Sequence, residues 1–209
     1  MQKNIADILQ VAGVVPVLVI EQAEDALPLA EALLEGGLHV LEVTLRTEAA
    51  LAAVALIAKH LPEAHVGTGT VLNSNDLQRS VDAGAGFMVS PGATEKLLDA
   101  AEKSEVPLLP GAASASEVMR LYERGYRYQK FFPAEAAGGV PMLKSLAGPL
   151  AEVHFCPTGG VSAKNAADYL GLNNVICVGG SWMASSALMR EKNWAEITRL
   201  SQQAVALKP

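Results

Sequence analysis

The chain has little of several things, and each shortage removes a class of function. It carries two cysteines, Cys156 and Cys177, each inside an apolar, strand-like run. That pattern is neither a disulfide framework nor a metal motif, so both read as small buried hydrophobes. Histidine is as sparse: His39, His60, His65 and His154 are the only four, and no two stand at ligand spacing on a helix. No metal is expected. The net charge is −6, and there is no basic patch or tail, which argues against nucleic acid as a partner. No apolar run approaches membrane-spanning length, so no membrane contact is expected. Met1 to Gln10 reads as a short amphipathic helix and not as a signal peptide. A soluble, cytoplasmic protein follows as the expectation.

What the chain does have is a hydrophobic half, 50% of 209 residues, enough for one large core. Short β-branched runs alternate with Ala/Leu/Glu-rich stretches. Strands are predicted at 14–20, 40–45, 65–71, 87–90, 106–110, 128–133, 153–157 and 175–179. Helices are predicted near 23–36, 47–60, 74–83, 94–103, 115–124, 139–147, 163–170 and 186–206, the last broken near Asn193. No linker divides the chain, so residues 1–209 read as a single domain. A strand-then-helix unit repeated in this way predicts a parallel sheet closed into a single (β/α)8 TIM barrel with a short N-terminal helix. An open doubly wound sheet is the alternative.

One residue is out of place in this pattern. Lys130 lies in Tyr128-Gln129-Lys130-Phe131-Phe132-Pro133, a predicted buried strand, whereas the other lysines fall in helices, helix ends or termini. Lysine is seldom buried without a partner. An amine kept dry and neutral is a nucleophile that forms Schiff bases with ketones. The plain alternative is a strand-end lysine whose head reaches water.

In such a barrel, chemistry sits at the C-terminal strand ends, and residues two apart share a face. In Val40 to Arg46, Leu41, Val43 and Leu45 form an apolar face, so Glu42, Thr44 and Arg46 are expected to point inward. A structural Glu42–Arg46 ion pair is the plain reading of that set. The same parity pairs Thr68 with Thr70, Lys130 with Tyr128 and Phe132, and Cys156 with Thr158. Glu42, Arg46, Thr70, Lys130 and Thr158 are therefore expected to converge. Pro157-Thr158-Gly159-Gly160 and Gly179-Gly180-Ser181 end the last two predicted strands. Glycine turns there expose backbone amides suited to an anion such as phosphate. Two tight turns without a ligand are the alternative.

These segments, with Gly69-Thr70-Val71, Ser90-Pro91-Gly92 and Lys130 to Glu135, resemble the 2-keto-3-deoxy-6-phosphogluconate (KDPG) aldolase family over nearly the whole chain. That family includes 4-hydroxy-2-oxoglutarate (KHG) aldolases. The resemblance implies a (β/α)8 barrel, a homotrimer, no cofactor, and the aldol cleavage of the Entner–Doudoroff pathway, giving pyruvate and glyceraldehyde 3-phosphate. It implies Lys130 as the Schiff-base lysine and Glu42 as the acid/base carboxylate. Arg46 and Thr70 would hold the pyruvate carboxylate, with Pro91, Phe132 and Thr158 around the pyruvyl unit. Gly159, Gly160, Gly180 and Ser181 would hold phosphate. The chain departs from the family pattern at Thr68 and at Ala112-Ala113-Ser114. A phosphosugar isomerase or epimerase, or a non-catalytic barrel that binds a phosphorylated metabolite, are the competing readings.

Overall fold

Nine parallel strands and ten α-helices follow one another through residues 5–207, the residues described by the computed structural model. Helix α1 is Ile5–Ala12, the helix expected at the N-terminus, and Met1 to Asn4 lie outside the described residues. Strand β1 is Val14–Leu18, followed by a 3-10 turn at Ala23–Asp25 and α2 (Ala26–Glu35). Then come β2 (Val40–Thr44), α3 (Ala50–His60), β3 (His65–Gly69) and α4 (Ser74–Asp82). Strand β4 (Met88–Val89) leads to α5 (Glu95–Ala101), and β5 (Leu108–Leu109) and β6 (Gly111–Ala112) lead to α6 (Ala115–Glu123). Next are β7 (Tyr128–Phe131), α7 (Gly139–Ala147), β8 (His154–Pro157) and α8 (Ala166–Leu170). The chain closes with β9 (Val178–Gly180), a 3-10 turn at Trp182–Ala184, α9 (Ser186–Arg190) and α10 (Trp194–Val205). The last predicted helix does break at Asn193, whose side chain caps α10 by accepting from the Glu196 amide.

The expectation of a single closed eight-stranded (β/α)8 barrel has to be corrected. The strands form a six-stranded sheet, ordered β5-β4-β3-β2-β1-β9, and a separate three-stranded sheet, β6-β7-β8. The ladder stops at Pro110, between β5 and β6. Proline has no N–H to donate, and β5 pairs back to β4 while Gly111 pairs forward to Lys130. Only the Pro110 carbonyl stays in the pattern, accepting from the Lys130 amide at 2.8 Å. At the other seam, β8 and the β9 region meet through the isolated bridges Phe155↔Val175 and Thr158↔Gly179.

Two apolar clusters hold the layers. The larger lies between the sheets and the helices, with Leu41 and Val43 of β2, Leu33 of α2, Ile57 of α3 and Phe131 of β7 among its members. The smaller lies on the opposite strand faces. It joins Val15, Val40, Phe87, Val89 and Leu109 to Cys156 and Cys177, and α1 seals it with Ile5 and Leu9. Both cysteines are thus buried hydrophobes, as the sequence predicts. The smaller cluster draws on both sheets, so their inner faces look at each other. Above it, toward the C-terminal strand ends, the inner faces become polar.

No helix among the described residues is long and apolar enough to cross a membrane.

Candidate active site

Alternation along β2 puts Leu41 and Val43 into the helix-facing core and leaves Val40, Glu42 and Thr44 on the inner face. Val40 belongs to the apolar floor. Glu42 stands one step above it, and Thr44 donates to the Leu18 carbonyl of β1 at 2.9 Å. On β7, Phe131 faces the helices. Gln129 does too, donating to the carbonyls of Val118 and Tyr126 at 3.2 and 3.0 Å. That leaves Lys130 on the inner face.

The two sheets meet at this level. Lys130 Nζ lies 3.1 Å from Glu42 Oε1, with the residues only 5% and 3% exposed. An ammonium and a carboxylate this dry need one another, since either alone would sit in a medium that solvates it poorly. Phe132, two residues beyond Lys130, covers the amine from one side, its ring centroid 5.4 Å from Nζ.

Gly69 makes room for the carboxylate. A β-carbon at that position would fall on Glu42 Oε1. The inner face of β3 is therefore its glycine face, Gly67 and Gly69. The expectation that Thr68 shares the inner face with Thr70 is corrected accordingly: Thr68 is buried on the helix side and donates to Ser80 Oγ of α4 at 2.8 Å. The strand ends at Gly69, and Thr70 has φ +62°, a left-handed conformation that a β-branched residue rarely adopts. The alternation stops there, so Thr70 is placed by the turn and not by strand parity.

Arg46 differs from its expectation for a similar reason. Strand β2 ends at Thr44, and Arg46 stands exposed in the turn that follows, its amide bonded to the Thr44 carbonyl at 2.8 Å. It lines a shallow depression of about 310 Å³ with Thr47, Asp76 and Arg79, and among the described residues Glu42 pairs with Lys130 and not with Arg46.

The remaining predicted residues lie at the C-terminal ends of neighbouring strands. Pro91 follows β4, and its backbone packs so close to Gly111 that a side chain there would overlap it. Thr158 is buried at the end of β8 and bridges to Gly179, where a β-carbon would strike its hydroxyl. That bridge sets the Gly159-Gly160 turn beside Gly180 and Ser181. Gly159 and Gly160 have φ +100° and +79°, conformations that favour glycine. The amides of Gly159, Gly160, Val161 and Ser181 have no acceptor among the described residues. No group of three or more His, Cys, Asp or Glu side chains that could hold a metal is found among the described residues.

Sequence reasoning passed over two further residues. Gly69 and Glu135 were named only as members of the motifs Gly69-Thr70-Val71 and Lys130 to Glu135, with no role of their own. Glu135 accepts a hydrogen bond from Tyr169 of α8, and burial together with that bond holds the Tyr169 phenol well above its ordinary value.

The comparisons with known proteins point to one family. The family described as "KDPG and KHG aldolase" matches residues 5–200. The KHG/KDPG aldolase of Escherichia coli (strain K12) is 50% identical over 198 residues, which are 95% of this chain and 93% of that one. The crystal structure of KDPG aldolase from Legionella pneumophila, with pyruvate captured at low pH as a covalent carbinolamine intermediate, superposes with a TM-score of 0.94 at 49% identity, covering 98% of both chains. That of the Zymomonas mobilis ZM4 enzyme with 3-phosphoglycerate also gives 0.94, at 47% identity, covering 100% of this chain and 98% of the other. With half its residues shared across nearly its whole length, the chain belongs to the KDPG and KHG aldolase family.

Proposed function

We propose that this protein is a Schiff-base aldolase that cleaves 2-keto-3-deoxy-6-phosphogluconate to pyruvate and glyceraldehyde 3-phosphate, and 4-hydroxy-2-oxoglutarate to pyruvate and glyoxylate. The observation that carries the reading is the buried Lys130–Glu42 contact at 3.1 Å. A phosphosugar isomerase would use Glu42 but has no need of a dry lysine beside it. One domain, residues 1–209, carries the whole activity.

The contact supplies the first step. A proton passed from Nζ to Oε1 leaves a neutral amine and a carboxylic acid. The amine attacks the C2 ketone, giving a carbinolamine. The acid then protonates the departing hydroxyl, water leaves, and a protonated imine remains on Lys130. Glu42, a carboxylate again after the dehydration, takes up the C4 hydroxyl proton as the C3–C4 bond breaks. The electron pair of that bond moves into the imine, the aldehyde departs, and an enamine is left. Glu42 returns a proton to C3, and water hydrolyses the imine to pyruvate and free Lys130. A positioned proton shuttle of this kind contributes about 10²–10⁴-fold in rate.

The other groups position the substrate. Arg46 grips the substrate carboxylate with two parallel hydrogen bonds, and Thr70 joins it from the turn after β3. Because Arg46 is exposed and is not held by Glu42, its guanidinium is available for this role. Pro91, Phe132 and Thr158 enclose the pyruvyl unit. The phosphate sits on the amides of the Gly159-Gly160 turn, those of Gly160 and Val161 among them, with Gly180 and Ser181 beside them. No cofactor takes part. Assembly as a homotrimer and a cytoplasmic location belong to the same reading, on the family resemblance. Light scattering on the purified protein tests the assembly, and a monomer would refute it.

Borohydride reduction in the presence of pyruvate is the direct test. It should leave a covalent adduct on Lys130 and none in Lys130→Ala. Glu42→Gln should lower turnover about 10²–10⁴-fold. A wild-type protein that is not trapped, or a Glu42→Gln variant with normal turnover, would sink the reading.

A further inference from the structure

The segment after β7 does more than end a strand. Beyond Phe131 the chain runs on beside the end of β8: the Ala134 amide donates to the Thr158 carbonyl at 2.8 Å, and the Glu135 amide to the Gly159 carbonyl at 3.1 Å. The Glu135 side chain then lies across Gly160, where a β-carbon would stand 2.5 Å from its Cγ and 2.7 Å from its Cβ. Its carboxylate receives the hydroxyl of Tyr169, a residue with no solvent exposure, on α8. Behind the turn, Asn165 donates to the Gly160 carbonyl at 3.2 Å and accepts from the Ser162 amide at 2.8 Å.

These bonds fix the direction of two peptides. In a trans peptide the C=O and the next N–H point in opposite directions. The Gly159 carbonyl is held toward Glu135, so the Gly160 amide points away from it. The Gly160 carbonyl is held toward Asn165, so the Val161 amide points away as well. Both carbonyls are bonded to protein and both amides are left without a protein acceptor among the described residues. The turn also abuts Phe132, since a β-carbon on Gly159 would lie 3.3 Å from that ring, and Phe132 borders Lys130 Nζ. The clamped turn therefore lies next to the segment that carries the reacting amine.

We propose that Glu135 and Tyr169 are positioning residues for specificity: by clamping the Gly159-Gly160 turn they aim its amides at a substrate phosphate and set the preference for phosphorylated over unphosphorylated keto acids. The inference rests on the functional reading above. The Tyr169 phenol is a donor at neutral pH, and burial with the Glu135 bond moves its titration further above its ordinary value. Neither residue touches the reacting carbons, so cleavage of a substrate without phosphate does not depend on them.

Steady-state kinetics on both substrates tests this in the intact protein. Tyr169→Phe and Glu135→Ala should each raise KM for 2-keto-3-deoxy-6-phosphogluconate by about tenfold or more, the scale of one lost hydrogen bond to a charged group. Their kcat/KM for 4-hydroxy-2-oxoglutarate and their borohydride trapping with pyruvate should be unchanged. Glu135→Gln, which still offers the Tyr169 hydroxyl an acceptor, should keep the wild-type ratio of the two KM values. Equal losses on both substrates, or an unmoved ratio, would overturn the proposal. If Glu135→Ala does not fold, Tyr169→Phe decides alone, because it removes a single oxygen. The two levels of the reading fail differently. A wild-type protein that neither traps pyruvate nor cleaves either substrate defeats the functional reading. A wild-type protein that does both, with a ratio the variants leave unmoved, defeats the clamp alone.

Discussion

Gly69 shows how little room the reacting pair has. Its absent side chain is filled by the Glu42 carboxylate, so any β-carbon there must push that group off its contact with Lys130. Displacing a catalytic group by about 1 Å can reduce turnover about 10²-fold. Gly69→Ala should therefore lower kcat by about that factor while leaving the protein folded. Gly86→Ala is the control: its nearest neighbour would be the Val66 carbonyl at 3.5 Å, an ordinary contact. Normal kcat in Gly69→Ala would mean that the placement of Glu42 is not critical. This position also marks a limit of reading from sequence. Alternation divides β3 into a threonine face and a glycine face but does not say which one turns inward. Two hydroxyls look more functional than two hydrogens, yet the volume already claimed by Glu42 decides for the hydrogens. Lys130 and Glu42 were legible because charge inside an apolar strand is conspicuous on its own. Arg46 was misplaced because parity was carried two residues past the strand end.

Five of the described helices, α4, α5, α6, α9 and α10, begin where a side chain replaces a missing carbonyl, and those starts were mostly readable. Helix α6 is the fullest case. Ser114 Oγ accepts from the Glu117 amide at 3.4 Å, and Glu117 Oε2 accepts from the amides of Ala113 and Ser114 at 2.9 and 3.0 Å. The Ala113 bond above all, with help from Ser114, holds the Glu117 carboxyl below its ordinary range. A carboxylate with a lowered folded-state pKa contributes stability above its unfolded value, about 4.3, and loses it as pH falls through the folded value. Ser114→Ala should thus destabilise the protein by about 1 kcal/mol in urea unfolding at neutral pH. The deficit of Glu117→Gln should be largest at neutral pH and shrink on acidification below about 4. A deficit that grows in acid would show that the charge does not take part. Strand ends were read less well than helix starts. Hydrophobic runs continue past the last strand residue, as at Leu45 and Val71, whose amides still bond the Gly69 and Val89 carbonyls at 2.8 and 3.1 Å and whose side chains still pack on the core. The break at Pro110 coincides with the end of the strand predicted at 106–110; the short strand Gly111–Ala112 that follows it was not predicted.

At the scale of the whole molecule, the order of strands and helices was legible, and closure into one ring was not, because adjacency in sequence does not reveal where a ladder stops. What joins the two sheets on their inner sides, among the described residues, is the apolar floor sealed by α1 and, above it, a single ion pair between residues 88 apart in sequence. That pair serves chemistry better than stability. Removing one partner leaves the other charge buried and alone, which costs about 3–5 kcal/mol, whereas replacing both with apolar groups of similar size is often neutral or stabilising by about 1–4 kcal/mol. Lys130→Met and Glu42→Leu should each lower the free energy of unfolding at neutral pH. The double variant should recover that loss and reach or exceed the parent, with pyruvate trapping abolished in it and in Lys130→Met. A double-mutant cycle from urea unfolding measures the coupling. Additive losses would mean that the lysine and the carboxylate are solvated separately and that the contact is not what holds either in place. Recovery in the double variant would instead show that the sheets pack well without the charges. The fold would then be maintaining two buried ions that it does not need for stability, and catalysis is the use for them that the geometry offers.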